Sequence, residues 1–453
     1  MSIQRIRGGV YIDLMAVAKE RILPRSGRVL VPYQGDWGRP NFPVDMANTA
    51  ERTAETCLLV DEVELAAENG ATVVGFNITN GTEKKAAIEV ATNYVIEAKY
   101  PGARGNDFGR LIRKSIGDPS KKEMVVKDTK GIFEDEVFVF ESRKDLENRL
   151  KKSKMVRFVD KSTDEALDIP ETTFEQLSGG VSGIGTITPT DWTRIFNQIN
   201  GVQFDAMYLP TFDPAVQAAA KQWMTDRRKQ ERRLSQLVVA GDPNKDDDME
   251  AHNARSRAMN ARFIINNTIA GRHINGKEYN SLQWAAWLAG LVAGTPANVS
   301  MTNMKVPLEE ALIDWGHSDV MKGLSEGTLM ATRDGYDYVI ESAVNTLTTL
   351  GPGEREDFGK IRVSMTIDQI MNDIYTAGKK YKAKLDNDSD GRAIFIGAVL
   401  EYLKIRAEQK AIDKQFSFTE HPTKKSDFDF AYFKLFAKPL DAVEAFFVDW
   451  EVA

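Results

Sequence analysis

Phe204-Asp-Ala-Met-Tyr-Leu209, Gln236-Leu-Val-Val-Ala-Gly241 and Phe263-Ile-Ile-Asn-Asn-Thr268 are three short apolar runs in one stretch of the chain. What separates them decides the fold. Asp213-Pro214 opens a helix-like run reaching about Leu234, with proline in the first turn, where its missing N–H costs little. Asp248 to Met259 reads as a second helix. Strand, helix, strand, helix, strand predicts βαβ units and a mostly parallel sheet covered by helices.

The pattern continues outward. Upstream, Pro189 precedes a helix from Asp191 to Asn200. Downstream, Ser281 to Gly294 carries Trp284, Trp287, Leu288, Leu291 and Val292 on one helical stripe, with alanine and glycine on the other faces, which predicts a helix buried nearly all round. Its tryptophans read as core, since the stripe that must be buried holds both. Gly294-Thr295-Pro296 ends it. Beyond lie a short apolar run from Leu308 to Asp314, a helix from His317 to Glu326, and a hairpin from Leu329 to Ala343 turned by Arg333-Asp334-Gly335.

Before residue 87 the sequence predicts a strand around Val29-Leu30-Val31, a helix between Asn48 and Asn69, and a strand from Thr72 to Ile78. From Ala87 to Leu177, strand-like runs recur at Ala87–Tyr100, Glu123–Asp128, Glu136–Ser142, Met155–Asp160 and Thr172–Leu177. Such spacing predicts a small β-sandwich or barrel. Lys151, Lys152 and Lys154, in a charged segment, read as a solvated face. After the glycines of 351–357 come two long helices, Val363–Leu385 and Arg392–Gln415, then a strand-like Phe428–Phe436. The expected division is an arm at 1–25, an α/β segment at 26–86, a β-sandwich at 87–178, an α/β domain at 179–350 and an α+β unit at 351–453.

Both ends carry apolar strands with no evident sheet of their own. The chain closes on Ala442-Val-Glu-Ala-Phe-Phe-Val-Asp-Trp-Glu-Val-Ala453, where Phe446, Val448, Trp450 and Val452 share one parity. Near the start, Val10-Tyr11-Ile12 follows Gly8-Gly9 as a loose β-favouring arm. Termini usually fray unless tied down, so each end needs a sheet to join, in its own chain or in a neighbour.

Composition narrows the chemistry. The net charge of −7 comes from 59 basic and 66 acidic residues interspersed along the chain, which argues against nucleic acid or an anionic membrane as partner. One cysteine, Cys57, excludes an internal disulfide and any multi-cysteine metal site and fits a reducing compartment; four scattered histidines argue against a histidine metal centre. No secretion signal or membrane span is evident, so a soluble intracellular protein is expected. Phosphate-loop, Gly-x-Ser-x-Gly and His-Glu-x-x-His motifs are missing. Asp386-Asn-Asp388-Ser-Asp390-Gly391 begins like a calcium loop, but Gly397 stands where a bidentate glutamate is needed; the segment reads as a polar turn between helices. No catalytic residue, cofactor or metal is assigned, although a Ser/His/Asp triad is spatial and an α/β hydrolase stays open.

Several segments resemble contractile tail sheath proteins of myovirus-type bacteriophages, defective prophages and phage-tail-like bacteriocins. Gly9-Val10-Tyr11-Ile12 resembles the Pro-Gly-Val-Tyr-Ile start of many sheaths, with Gly8 where proline is usual. Tyr100-Pro-Gly-Ala-Arg-Gly-Asn-Asp107 resembles a turn of the sheath β-sandwich, and Trp284 to Ser300 a helix and loop of the sheath α/β domain. Val344-Asn-Thr-Leu-Thr-Thr349 and Lys438-Pro-Leu-Asp-Ala-Val443 resemble further family segments. The likeness implies a subtilisin-like topology in the α/β domain, without its triad, and a carboxyl-terminal core domain. It implies terminal arms that add strands to neighbouring subunits through Val10, Tyr11, Ile12, Phe446, Val448, Trp450 and Val452. Leu14–Arg25 and Ala437–Asp441 are the expected bending linkers. Implied partners are copies of itself, a tail tube, a baseplate and a tail terminator, with assembly in the bacterial host cytoplasm and no nucleotide hydrolysis. A basic helix facing an acidic tube would here be marked by Lys379, Lys380, Lys382 and Lys384. Another self-assembling subunit, of a capsid or a tube, is the alternative in the same class.

Overall fold

A computed structural model describes residues 27–91, 94–160, 168–444 and 446–448. The amino-terminal arm with Val10, Tyr11 and Ile12, the linker 14–25, and Trp450 and Val452 lie outside the described residues.

The core is a six-stranded sheet in the order Ile264–Asn266, Gln236–Val239, Ala206–Tyr208, Arg28–Tyr33, Thr72–Asn77, Pro43–Met46. All neighbours are parallel except Pro43–Met46 against Thr72–Asn77. Segment 26–86 therefore supplies half of the strands of the sheet expected of residues 179–350, and Arg28–Tyr33 is an inner strand. Its sequence explains why. Val29, Val31 and Tyr33 enter the core on one face, Leu30 enters the core on the other, and a strand apolar on both parities must sit inside.

Helices cover both faces. On one lie Pro189–Ile199 and Pro214–Asp226, contributing Trp192, Phe196, Val216 and Met224. On the other lies Ser281–Gly294, opened by a reciprocal Asn280/Gln283 capping box. Trp284 and Trp287 are fully enclosed, as their spacing predicts. Gly290 and Gly294 let the segment Asp61–Asn69 approach: a Cβ on Gly290 would stand 2.1 Å from the Ala66 carbonyl oxygen.

The helix expected between Asn48 and Asn69 is two, Thr49–Thr56 and Asp61–Ala67, because Cys57 and Leu58 turn left-handed between them. The helix from Pro214 stops at Asp226 and runs on as one π-turn, Arg227–Glu231, closed by left-handed Arg232. The 331–340 hairpin turns at Gly335 as expected.

Residues 87–177 form two antiparallel sheets around a shared core, Ala87–Ala91/Tyr94–Ala98/Val156–Asp160 and a four-stranded sheet from Phe108 to Gln176. The run Ala87–Tyr100 is a strand pair, and Phe108–Lys114 is a strand the sequence reading passed over. The Tyr100–Asp107 turn keys this insertion to the body. Tyr100 donates to Glu55 and receives from Arg39, Trp37 packs edge-on against Tyr100 and Phe108, and a Cβ on Gly102 would meet the Asp36 oxygen at 1.8 Å.

The carboxyl-terminal unit pairs the helices Ile361–Tyr381 and Ser389–Glu408 with a hairpin, Ile412–Glu420 against Phe433–Pro439. The second helix ends before the expected Gln415, at left-handed Lys410. The last strand starts at Phe433, and Phe428 and Phe430 lie in the exposed hairpin loop. The unit is fastened to the body by buried Asp368, which accepts from Arg228 at 2.6 and 2.7 Å and from Gln236 at 2.8 Å and pairs with Arg262 at 3.0 Å. The Asn372 side chain bonds both backbone groups of Leu234.

Candidate assembly interface

Ile412–Glu420 and Phe433–Pro439 pair only with each other, so each presents an open edge among the described residues. One face of the hairpin is built for burial. Phe418 and Ile412 are buried and Phe433, Leu435 and Ala437 half-buried, packed with Val399 and Leu403 of the helix beneath. The other face shows Lys434, Phe436 and Lys438 to solvent. A two-stranded sheet is marginal alone; this one rests on its helix and, among the described residues, lacks neighbours at both edges.

Beyond Pro439 the chain is held at two points. Leu440 N–H donates to the Ala411 carbonyl oxygen at 3.0 Å. Four residues on, Glu444 is captured: Lys360 Nζ donates to its Oε2 at 2.6 Å, Ser342 to Oε2 at 2.9 Å and Thr302 to Oε1 at 2.8 Å. Burial pushes the Glu444 carboxyl up, but the Lys360, Thr302 and Ser342 bonds outweigh it and hold it below the usual carboxylate value. Ala437–Pro439, expected in a linker, belong to the strand, so the span between anchors is 441–443. Sequence reading did not find Glu444; a lone carboxylate in an apolar run is its only local signal.

Past this anchor Phe446, Phe447 and Val448 are 81%, 94% and 85% exposed and form no strand with the described residues of their own chain. Residues 445–453, fully extended, reach at most about 30 Å.

Lys379 and Lys380 occupy the last turn of Ile361–Tyr381, with Lys382 and Lys384 just beyond, all exposed. Lys379 Nζ lies 4.5 Å over the Tyr375 ring. Lys360 begins the same helix, so the arm anchor and the lysines stand at opposite ends, roughly 30 Å apart for about twenty residues. They are two sites.

Among the described residues Ser281, His252 and Asp246 come together, in the wrong arrangement for catalysis. Ser281 Oγ donates straight to Asp246, while His252 Nε2–H donates to the Asp246 backbone oxygen at 3.1 Å and its Nδ1 accepts from Arg255 at 2.7 Å. Burial lowers His252 to about 4, and Arg255 adds to that. A neutral histidine with its acceptor nitrogen occupied cannot take a serine proton, and all three residues are at most 3% exposed. The calcium-like segment is a helix cap: Asp388 accepts from Gly391 N–H at 2.7 Å, and Asn387 holds the Phe428 and Phe430 carbonyls. Among the described residues no cluster of acids, histidine or cysteine fits a metal, and no helix is long and apolar enough to cross a membrane.

The described residues form a multidomain α/β chain with an inserted sheet pair and a carboxyl-terminal hairpin sheet open at both edges. Residues 185–346 match the phage tail sheath protein central domain and residues 354–453 the phage tail sheath C-terminal domain, together more than half of the chain. The tail sheath protein of Clostridium phage phiCD119 is 27% identical over 224 residues, 49% of this chain and 58% of that protein. The phage-like element PBSX protein XkdK of Bacillus subtilis (strain 168) is 24% identical, covering 99% of this chain and 98% of its own. In fold, the sheath tail protein from Desulfitobacterium hafniense matches with a TM-score of 0.72 at 20% identity, over 95% of this chain and 100% of that one. The chain belongs to the phage tail sheath protein family. It is a structural subunit of a contractile tail sheath.

Proposed function

We propose that the subunit polymerises by strand addition, its carboxyl-terminal segment Phe446, Val448, Trp450, Val452 and its amino-terminal Val10, Tyr11, Ile12 pairing with the open edges of the 412–439 hairpin in neighbouring copies. The observation that carries this reading is the conjunction of a two-edged, unfinished sheet with an exposed apolar segment leaving a fixed anchor. Burying Phe446 and Val448 contributes about 3 to 6 kcal/mol at 1.5 to 3 each, and the sheet edge supplies the ladder bonds. The rigid body, locked to the hairpin unit through Asp368, then moves as one piece. Such sheaths contract without nucleotide chemistry to drive a tail tube through a bacterial envelope, with baseplate and tail terminator proteins closing the ends and assembly in the host cytoplasm.

In this reading Lys379, Lys380, Lys382 and Lys384 contact the tube, supported by their exposure at a helix end. Deleting Phe446–Ala453 leaves a folded, soluble subunit that forms no ribbed cylinders in negative stain; normal sheaths from the truncated chain would overturn strand addition. Charge reversal at Lys379 and Lys380 that left tube binding intact would overturn the tube contact.

A further inference from the structure

Arg227, Arg232, Arg233 and Lys379 line one cavity of about 150 Å3, walled by Phe204 and Tyr375. The first three come from the π-turn region of the α/β body and the fourth from the carboxyl-terminal unit. The seam between them is locked by the Asn372–Leu234 bonds and by the Arg228–Asp368 pair, so the four cations are held together before anything binds.

Their charges are not balanced. Among the described residues the one carboxylate ion-paired with any of the four is Glu231, 3.7 Å from Arg233 Nε. Arg227 is 2% exposed; its guanidinium donates to the backbone carbonyls of Ile199, Asn200 and Val202 and lies over the Phe204 and Trp223 rings, and its buried Nε has no hydrogen-bond partner among the described residues. Burial lowers Arg227 to about 10, with Arg233 adding to it, so it remains charged at neutral pH. Arg232, exposed and left-handed at the end of the turn, makes no side-chain hydrogen bond or ion pair within the described chain.

Among the described residues Glu231 is the one carboxylate set against these three arginines and the lysine, acting on Arg227 through space and ion-paired with Arg233, which leaves the cavity with positive charge in excess and suited to an anion. The cavity suits one or two carboxylates, which the guanidinium fork engages in pairs. A long polyanion such as nucleic acid meets a chain of net charge −7 and no extended basic stripe. We propose that this seam pocket docks the carboxylate side chains of a short acidic protein segment. The proposal is independent of strand addition, because the pocket lies at the seam and not at a sheet edge; it shares Lys379 with the lysine group assigned to the tube, so its test is placed on Arg232, which that group does not include.

The test is isothermal titration of the full-length subunit at low salt with hexaglutamate, hexaglutamine and inorganic phosphate, repeated with Arg232→Glu and Arg232→Lys. Hexaglutamate is expected to bind and hexaglutamine not. Arg232→Glu weakens binding by about tenfold or more and Arg232→Lys retains most of it, with unchanged melting of both variants, since one lost ion pair of about 1.4 kcal/mol is tenfold. Absence of hexaglutamate binding to the wild-type chain, or equal binding to Arg232→Glu, overturns the proposal. Phosphate binding as tightly as hexaglutamate, with the same dependence on Arg232, also overturns it, by making the pocket a free-anion site.

Discussion

The six-stranded sheet and the two-stranded hairpin answer the same physical demand in opposite ways. In the first, every inner strand is paired on both sides and each face is covered by helices of the same chain. In the second, one face is covered and, among the described residues, both edges are open. The difference separates two jobs. In the proposed reading, stability lives in the body and the capacity to associate lives where the sheet is left incomplete. Lys434 and Lys438 lie exposed beside Phe436 on that strand, and charge on an edge strand is a general means of discouraging indiscriminate pairing.

Substitutions that strike one sheet and spare the other sharpen the contrast. Trp287→Ala, emptying a fully enclosed site against the large sheet, costs about 3 to 5 kcal/mol, measured by denaturant unfolding of the monomer; a cost like that of a surface residue would break the assignment of stability to the body. Asp368→Ala leaves Arg228 and Arg262 without their carboxylate and costs about 3 to 5 kcal/mol. Its calorimetric trace is expected to split as the carboxyl-terminal unit melts before the body. Glu444→Gln acts on neither sheet. Monomer stability changes by about 1 kcal/mol or less, while residues beyond 440 become more susceptible to limited proteolysis.

The same anchor responds to acid. Because the folded Glu444 carboxyl titrates below its unfolded value, anchoring is fully present above the ordinary carboxylate pKa and is lost as pH falls through the lower, folded value. Protection of the tail in the wild-type chain is therefore expected to persist above a pH of about 4.3 and to disappear below that range, whereas Glu444→Gln shows no such step.

What the sequence revealed follows from how local each signal is. Ser281–Gly294 is legible because a helix apolar all round has one place to go, and the strands Gln236–Val239 and Thr72–Asn77 because they are apolar on both parities. Phe108–Lys114 is hidden by its charges. Arg110 is buried once Glu175 arrives from another strand to pair with it, while Arg113 stays exposed and pairs with Glu123. Ile412–Glu420 follows its helix with no glycine or proline between, and the stop is a left-handed lysine that any residue scale misses. The Glu444 anchor is illegible locally because its partners stand 84, 102 and 142 residues away. Arg232 is unremarkable until folding sets Lys379 opposite it.

Strand addition is tested most directly by covalent capture. Phe446→Cys is combined with Ser417→Cys on one hairpin strand or Lys434→Cys on the other, in a chain whose only native cysteine, Cys57, is buried and is replaced. Oxidised assemblies from at least one pair are expected to run on denaturing gels as a ladder of dimers, trimers and higher species, with monomers below the assembly concentration giving none. Sheaths that form normally and yield no ladder from either pair, or only a product cross-linked within one chain, would contradict the account.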